Sequence, residues 1–188
     1  INAQGMWDIA RPHLESLVSR TKESSSMSQL DGSDIVYIAR VSVPKIIGLS
    51  VQIGTRFPAL ATSMGHVLLS EMPTKQLDEV LATPSQSRVI PRVKPSRKEL
   101  NVTLAEVRSR GWALSDERLS LGIRSIAAPV RDASGAIIAA VNVTVNAAET
   151  PLAKLRSSHL PLLLETAQHI TDDFVRMSDV PAIEVDPS

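Results

Sequence analysis

The sequence predicts an α+β domain: a mostly antiparallel sheet of about six strands with helices on its faces. Three observations carry this. Two β-prone stretches each fold about a turn signal, Asp31-Gly32 in one and Asp132-Ala133-Ser134-Gly135 in the other. Helical periodicity lies between these stretches and on either side of them. Strands joined in consecutive hairpins pair antiparallel, whereas a nucleotide-binding parallel sheet alternates strand and helix. At 188 residues the chain fits a single domain, 1–188, large enough to bury a core without disulfides or metal.

Taken in order, residues 6–22 place Ile9, Ala10, Leu14, Leu17 and Val18 at helical spacing, with Pro12 expected to kink the helix or start a new one. Strands follow at 27–30 and 34–41 around Asp31-Gly32, a hairpin signal. A third strand is expected at 46–53, ending at Gly54. Thr62-Ser63 reads as the cap of a helix over 64–71, and Thr74 as the cap of a helix over 75–81. The stretch 84–95 holds three prolines and no apolar period, so it is loop. Residues 96–110 form a further helix, with Leu100, Leu104 and Val107 on one face and Gly111 as C-cap. Trp112-Ala113-Leu114 leads into Ser115-Asp116-Glu117-Arg118, and strands at 123–130 and 136–145 make the second hairpin. Thr150-Pro151 opens a C-terminal helical region that Pro161 divides, with a frayed tail from Ser178.

Composition excludes several functions. Twenty Lys and Arg balance twenty Asp and Glu, so nothing supplies the strong basic face that a phosphate backbone needs, and aromatics at 3% supply no stacking platform. Cysteine is absent, which removes thiolate chemistry and suits a reducing compartment; a cytoplasmic location is expected. No apolar run approaches the ~20 residues that span a bilayer, and no signal peptide is visible. The chain opens Ile1-Asn2-Ala3 without an initiator Met, pointing to a piece of a longer protein.

Chemistry is sparse. His13, His66, His159 and His169 show no zinc-binding spacing, so no metal is expected. There is no Gly-x-Ser-x-Gly elbow and no phosphate-binding glycine loop, so neither a serine hydrolase nor a nucleotide cofactor is expected. Asp116 and Glu117 are adjacent on a strand-like segment and point to opposite faces, a poor acid–base pair. The sequence reads as a non-enzyme.

Two constellations remain. The segment Gly54-Thr55-Arg56-Phe57-Pro58-Ala59-Leu60-Ala61-Thr62-Ser63-Met64-Gly65 joins a strand to a helix N-terminus. Free amides there favour an anion, although an ordinary loop and cap fits equally well. Ser125 interrupts an apolar strand, and Asn142 and Thr144 share one face of another. Such groups either face solvent, which is slightly favoured, or line a polar pocket.

These residues resemble the IclR family of bacterial transcription regulators. The resemblance rests on Leu30-Asp31-Gly32 with Val36-Tyr37-Ile38-Ala39-Arg40 and on the Gly54 to Gly65 segment. It continues through Leu121-Gly122-Ile123-Arg124-Ser125-Ile126-Ala127-Ala128-Pro129-Val130 and Asp132-Ala133-Ser134-Gly135 to Ala139-Ala140-Val141-Asn142-Val143, and covers about residues 5–177. It implies the family's C-terminal effector-binding domain, with a GAF-like fold and assembly into dimers or tetramers. DNA contact would come only from an N-terminal winged helix-turn-helix domain that has no counterpart here.

Carried over by position, the effector pocket would comprise Leu49, Phe57, Ser63, Met64, Gly65, Ser115, Asp116, Ile123, Ser125, Asn142 and Thr144. The amides of Ser63 to Gly65 would hold a ligand carboxylate, and Ser125, Asn142 and Thr144 its other polar atoms. The Ala-Thr-Ser-Met-Gly form of the loop resembles the branch that controls aromatic-acid degradation. The implied effector is a small organic acid such as protocatechuate, 4-hydroxybenzoate or a ring-cleavage diacid. Closure of the 84–95 loop over that ligand would shift the helices. The rival readings are a GAF- or PAS-like sensor from another signalling protein and a small-acid-processing enzyme on the same scaffold.

Overall fold

The computed structural model describes residues 2–45 and 49–179. Six strands form one sheet in the order β3-β2-β1-β6-β5-β4, and each neighbouring pair is antiparallel. The strands are β1 (Ser24–Asp31), β2 (Asp34–Val41), β3 (Arg56–Pro58), β4 (Ala113–Asp116), β5 (Ile123–Arg131) and β6 (Ile137–Asn146). Both predicted hairpins are present. The first closes through Gly32, at φ +63°, and Ser33; in the second the Asp132 carboxylate accepts from the Ser134 amide at 2.9 Å and the Ala136 amide at 3.2 Å. This side-chain bonding within the turn is what favours Asp at such a position.

One layer of helices covers each face. On one side α1 (Ala3–Thr21) and α6 (Leu160–Ser178) bury Met6, Ala10, Leu14, Leu163 and Ile170 against Met27, Ile126 and Val143. On the other, α2 (Ser63–Leu69), α3 (Thr74–Ala82) and α4 (Arg97–Arg110) enclose a second core around Phe57, Met64, Leu69 and Leu104. Both caps of α4 follow the sequence: Ser96 and Glu99 form a reciprocal capping box, and Gly111 closes the helix at φ +86°.

The structure corrects several expectations. Helix α1 continues through Pro12, which lies exposed, so no new helix starts there. Pro73, not Thr74, is the N-cap of α3. Pro161 sits in the first turn of α6; the division precedes it, where short α5 (Leu152–Lys154) passes through one π-helical turn, Leu155–His159. Strand β1 begins at Ser24, three residues before the expected start.

The third strand is not at 46–53. Residues 46–48 fall outside the described ones, 49–53 form no strand, and β3 is Arg56–Pro58 instead. Pairing to β2 starts only where Gly54, at φ +91°, donates to the Tyr37 carbonyl at 2.7 Å. The apolar side chains Leu49 and Val51 pack into the second core rather than on a ladder. Of the tail expected from Ser178, Ser178 itself is the last residue of α6 and Asp179 is its C-cap; the rest lies outside the described residues.

Candidate functional site

The second core is incomplete. Where α2 crosses the middle of the sheet, the strand residues beneath it are small or polar. Ser26 stands opposite Asn142, Ser28 opposite Ala140, Ser125 opposite Thr144, and Ser115 opposite Ser125. A face built from such residues cannot fill the space beneath a helix as Leu or Val would. A cavity remains, measuring about 550 Å³ with its mouth included. Its walls stand close together, with a hydroxyl of α2 and one of β5, on Ser63 and Ser125, in hydrogen-bond contact across it.

Helix α2 is fixed over this floor by sequence-local means. Thr62 caps it, its Oγ1 accepting from the Gly65 amide at 3.0 Å. Gly65 itself presses on the 3-10 turn Ala59–Ala61: a Cβ there would lie 2.0 Å from the Ala59 carbonyl oxygen. This close approach presents Ser63 and Met64 to the sheet. The Ser63 and Ser125 hydroxyls lie 2.7 Å apart, and the Ser28 hydroxyl donates to the Met64 sulfur at 3.2 Å.

Apolar walls come from Leu49, Val51, Phe57, Met64, Leu119 and Ile123. Tyr37, Arg40, Thr62 and Ser63 provide polar lining from the β2 and α2 side, and Ser115, Ser125, Asn142 and Thr144 from the sheet floor. Asn142 acts as a brace: its Oδ1 accepts from the Ser26 amide at 2.9 Å and its NH₂ group donates to Thr144 Oγ1 at 3.1 Å.

Of the residues proposed from sequence, Leu49, Phe57, Ser63, Met64, Ser115, Ile123, Ser125, Asn142 and Thr144 line the cavity. Gly65 and Asp116 do not. The Gly65 amide is occupied by Thr62 and is therefore not free for a carboxylate. Asp116 pairs across β4–β5 with Arg124, on the face opposite Ser115, and accepts from its Nε at 2.6 Å.

Tyr37, Arg40, Val51, Thr62 and Leu119 were not foreseen, and Arg40 matters most. Simple alternation would put Tyr37 and Arg40 on opposite faces of β2. A bulge intervenes. Met27 pairs with Ala39 but Ser28 pairs with Tyr37, so Ile38 is an extra residue and both Ile38 and Ala39 join the α1/α6 core. Arg40 is thereby returned to the cavity face, where its Nη1 donates to Ser26 Oγ at 2.9 Å.

Arg40 is half-buried, and among the described residues no carboxylate pairs with it. Burial lowers its pKa from the ordinary value, with Tyr37 acting the other way. Tyr37 packs edge-on against Phe57, ring centres 5.6 Å apart. Burial pushes its hydroxyl up to about 12 against the opposing influence of Arg40 and Asn142, so it stays a neutral phenol.

A latch closes one side. The β4–β5 loop carries Leu119 over the cavity. It is folded by Glu117, at φ +56°, whose carboxylate accepts from the Gly122 amide at 2.8 Å. The amides of Arg92 and Val93 donate to the carbonyls of Leu119 and Arg118 at 3.0 and 2.8 Å, tying the 84–95 stretch to this loop. At its other end that stretch is held by buried Asp34, which accepts from the Gln86 amide at 2.8 Å and pairs with Arg56 at 3.2 Å. The 84–95 segment does not line the cavity; it straps the loop that does.

A small, mixed-polarity cavity roofed by a helix and a latched loop, on a helix-flanked antiparallel sheet, defines a ligand-sensing domain. The bacterial transcriptional regulator IclR C-terminal family matches residues 1–172. The chain belongs to the IclR family of bacterial transcriptional regulators, a family of regulators and not of enzymes. It is 35% identical over 162 residues to the Pca regulon regulatory protein of Pseudomonas putida, covering 86% of this chain and 56% of that protein. The crystal structure of protein RHA06195 from Rhodococcus sp. RHA1 superimposes with a TM-score of 0.84 at 44% identity, covering 92% of this chain and 70% of that one. The inducer-binding domain of Acinetobacter PobR, a double mutant in complex with 3-hydroxybenzoic acid, superimposes with a TM-score of 0.76 at 32% identity, over 88% of this chain and 97% of that one. The chain spans little more than half the length of the Pseudomonas regulator it matches. No described helix is long and apolar enough to cross a membrane.

Proposed function

We propose that residues 1–188 act as one effector-binding domain whose cavity takes a small aromatic carboxylic acid. In the whole protein, occupancy alters operator binding or the response of RNA polymerase at catabolic genes. DNA contact falls to an N-terminal winged helix-turn-helix domain, and the protein works as a homodimer or tetramer in the cytoplasm. The observation that carries this reading is the Arg40 guanidinium, which has no carboxylate partner among the described residues and is set into a cavity whose other walls are uncharged and of mixed polarity. A half-buried cation beside flat apolar surfaces suits an anion attached to a ring. The similar Acinetobacter domain, whose structure holds 3-hydroxybenzoic acid, supports the same class of ligand.

The test is a thermal-shift panel of 4-hydroxybenzoate, protocatechuate, β-ketoadipate, pyruvate and glyoxylate, with 4-hydroxybenzamide as the uncharged control. An aromatic acid at 100 times its dissociation constant stabilises by ~2.7 kcal/mol, several degrees for a domain of this size. The amide should give no shift. A response to pyruvate or glyoxylate with none to the aromatic acids would overturn the reading.

A further inference from the structure

The two ends of the cavity differ in hydrogen-bonding character, and this difference gives a ligand a direction. Arg40 offers only donors and a permanent charge, so it favours an anion. At the other end the Ser63 and Ser125 hydroxyls, 2.7 Å apart, share one hydrogen bond in which either can donate. Such a pair keeps one free O–H and several lone pairs, so it both donates and accepts. That is the complement of a ligand hydroxyl.

We propose that the effector lies across the strands in one orientation, its carboxylate on Arg40 and a ring hydroxyl para to it on the Ser63–Ser125 pair, making Ser63 and Ser125 specificity-determining residues. This rests on the reading that the cavity takes an aromatic acid.

The sheet register supplies the span. Arg40 on β2 faces Ser26 on β1, Ser26 faces Asn142 on β6, and Asn142 faces Ala127 on β5, two residues along from Ser125. The guanidinium already crosses one strand spacing to reach Ser26 Oγ. About two spacings remain to β5, roughly 10 Å. One benzene ring with a substituent at each end, plus a hydrogen bond at each end, fills that length. Between the ends the ring meets Phe57, Met64 and Ile123. Asn142, at the centre of the floor, spends one N–H on Thr144 and accepts from Ser26, which braces it beneath the ring with one N–H to spare. The opposite orientation would set the carboxylate at the start of α2. There Thr62 takes the Gly65 amide, which leaves fewer donors for a carboxylate, and the charge of Arg40 would be left uncompensated.

The experiment is titration calorimetry of the wild-type chain, Ser125→Ala, Arg40→Lys and Arg40→Met with benzoate and with 4-hydroxybenzoate; circular dichroism establishes that each variant is folded. The wild type should prefer 4-hydroxybenzoate by several-fold to tenfold. Ser125→Ala should bring that ratio towards one. Arg40→Met should weaken both acids at least tenfold while keeping their ratio, and Arg40→Lys should recover part of the loss.

A Ser125→Ala ratio equal to that of the wild type, or Arg40→Met binding both acids as tightly as the wild type, overturns the orientation while the aromatic-acid reading stands. Loss of benzoate and 4-hydroxybenzoate in equal measure with Ser125→Ala places the carboxylate at the serines, and also overturns it. A wild type that binds neither acid overturns both.

Discussion

His66 shows how tightly the helix above the cavity is bound to its surroundings. Its ring is buried; Nε2 lies 2.7 Å from the Leu60 carbonyl oxygen and so carries the proton, leaving Nδ1 buried without a partner. Burial pushes its pKa below the ordinary value. The Leu60 carbonyl opposes that shift, and the Arg118 and Arg110 charges add to it. Above about pH 6.5 native and unfolded rings are both neutral and the group contributes nothing to pH dependence. Below that the unfolded chain takes up a proton that the native ring refuses, so stability falls with pH, by up to ~1.4 kcal/mol per unit for one such group. His159, whose pKa burial also lowers, adds the same sign. Urea unfolding should therefore show lower stability at pH 5.5 than at pH 7.5, and His66→Gln should flatten that difference. Gly65 is equally constrained. With a Cβ placed 2.0 Å from the Ala59 carbonyl, Gly65→Ala forces α2 off the sheet at a cost of about 3 kcal/mol. It should lower the thermal midpoint and weaken effector binding together.

At the scale of elements, the latch depends on buried Asp34 at the start of β2. Asp34→Ala removes the acceptor for the Gln86 amide and the Ser85 hydroxyl and breaks its pair with Arg56. The expected loss is about 3 kcal/mol in urea unfolding, accompanied by faster protease cleavage within 84–95. Elements with strong local signals were legible in the sequence. The capping box at Ser96 and Glu99, the Gly111 terminus and the two turn sequences each satisfy their own backbone groups, so they stand apart from tertiary context. Strand β3 was not legible: three residues carry no period, and Leu49 and Val51 before it turn to the cavity wall and not onto a ladder. The polar interruptions Ser125, Asn142 and Thr144 were visible on β5 and β6, but sequence alone leaned towards solvent because a pocket needs a partner layer that no single strand reveals. Arg40 was hidden for a different reason. A bulge displaces the alternation on which any reading of faces depends, and it leaves no mark in composition.

Across the whole molecule, the sheet separates two duties. The face under α1 and α6 is filled by Leu, Ile, Val and Met side chains and behaves as an uninterrupted core. The face under α2 gives up that filling at Ser26, Ser28, Ser115 and Ser125 and gains a site. Both sheet edges are short, three residues in β3 and four in β4, which leaves little exposed ladder for another chain to extend. The close approach of the cavity walls has a kinetic consequence. Leu119 is held over the cavity by the strapped β4–β5 loop and the Ser63 and Ser125 hydroxyls meet across it, so a ring is expected to enter through a parted form. The apparent affinity then carries a factor for the small fraction of time spent parted. In stopped-flow mixing the observed binding rate should climb with effector concentration and then level off at the opening rate. Loosening the latch with Asp34→Ala should raise that plateau, so the strap on the far side of the loop would set how quickly the domain answers a change in its surroundings.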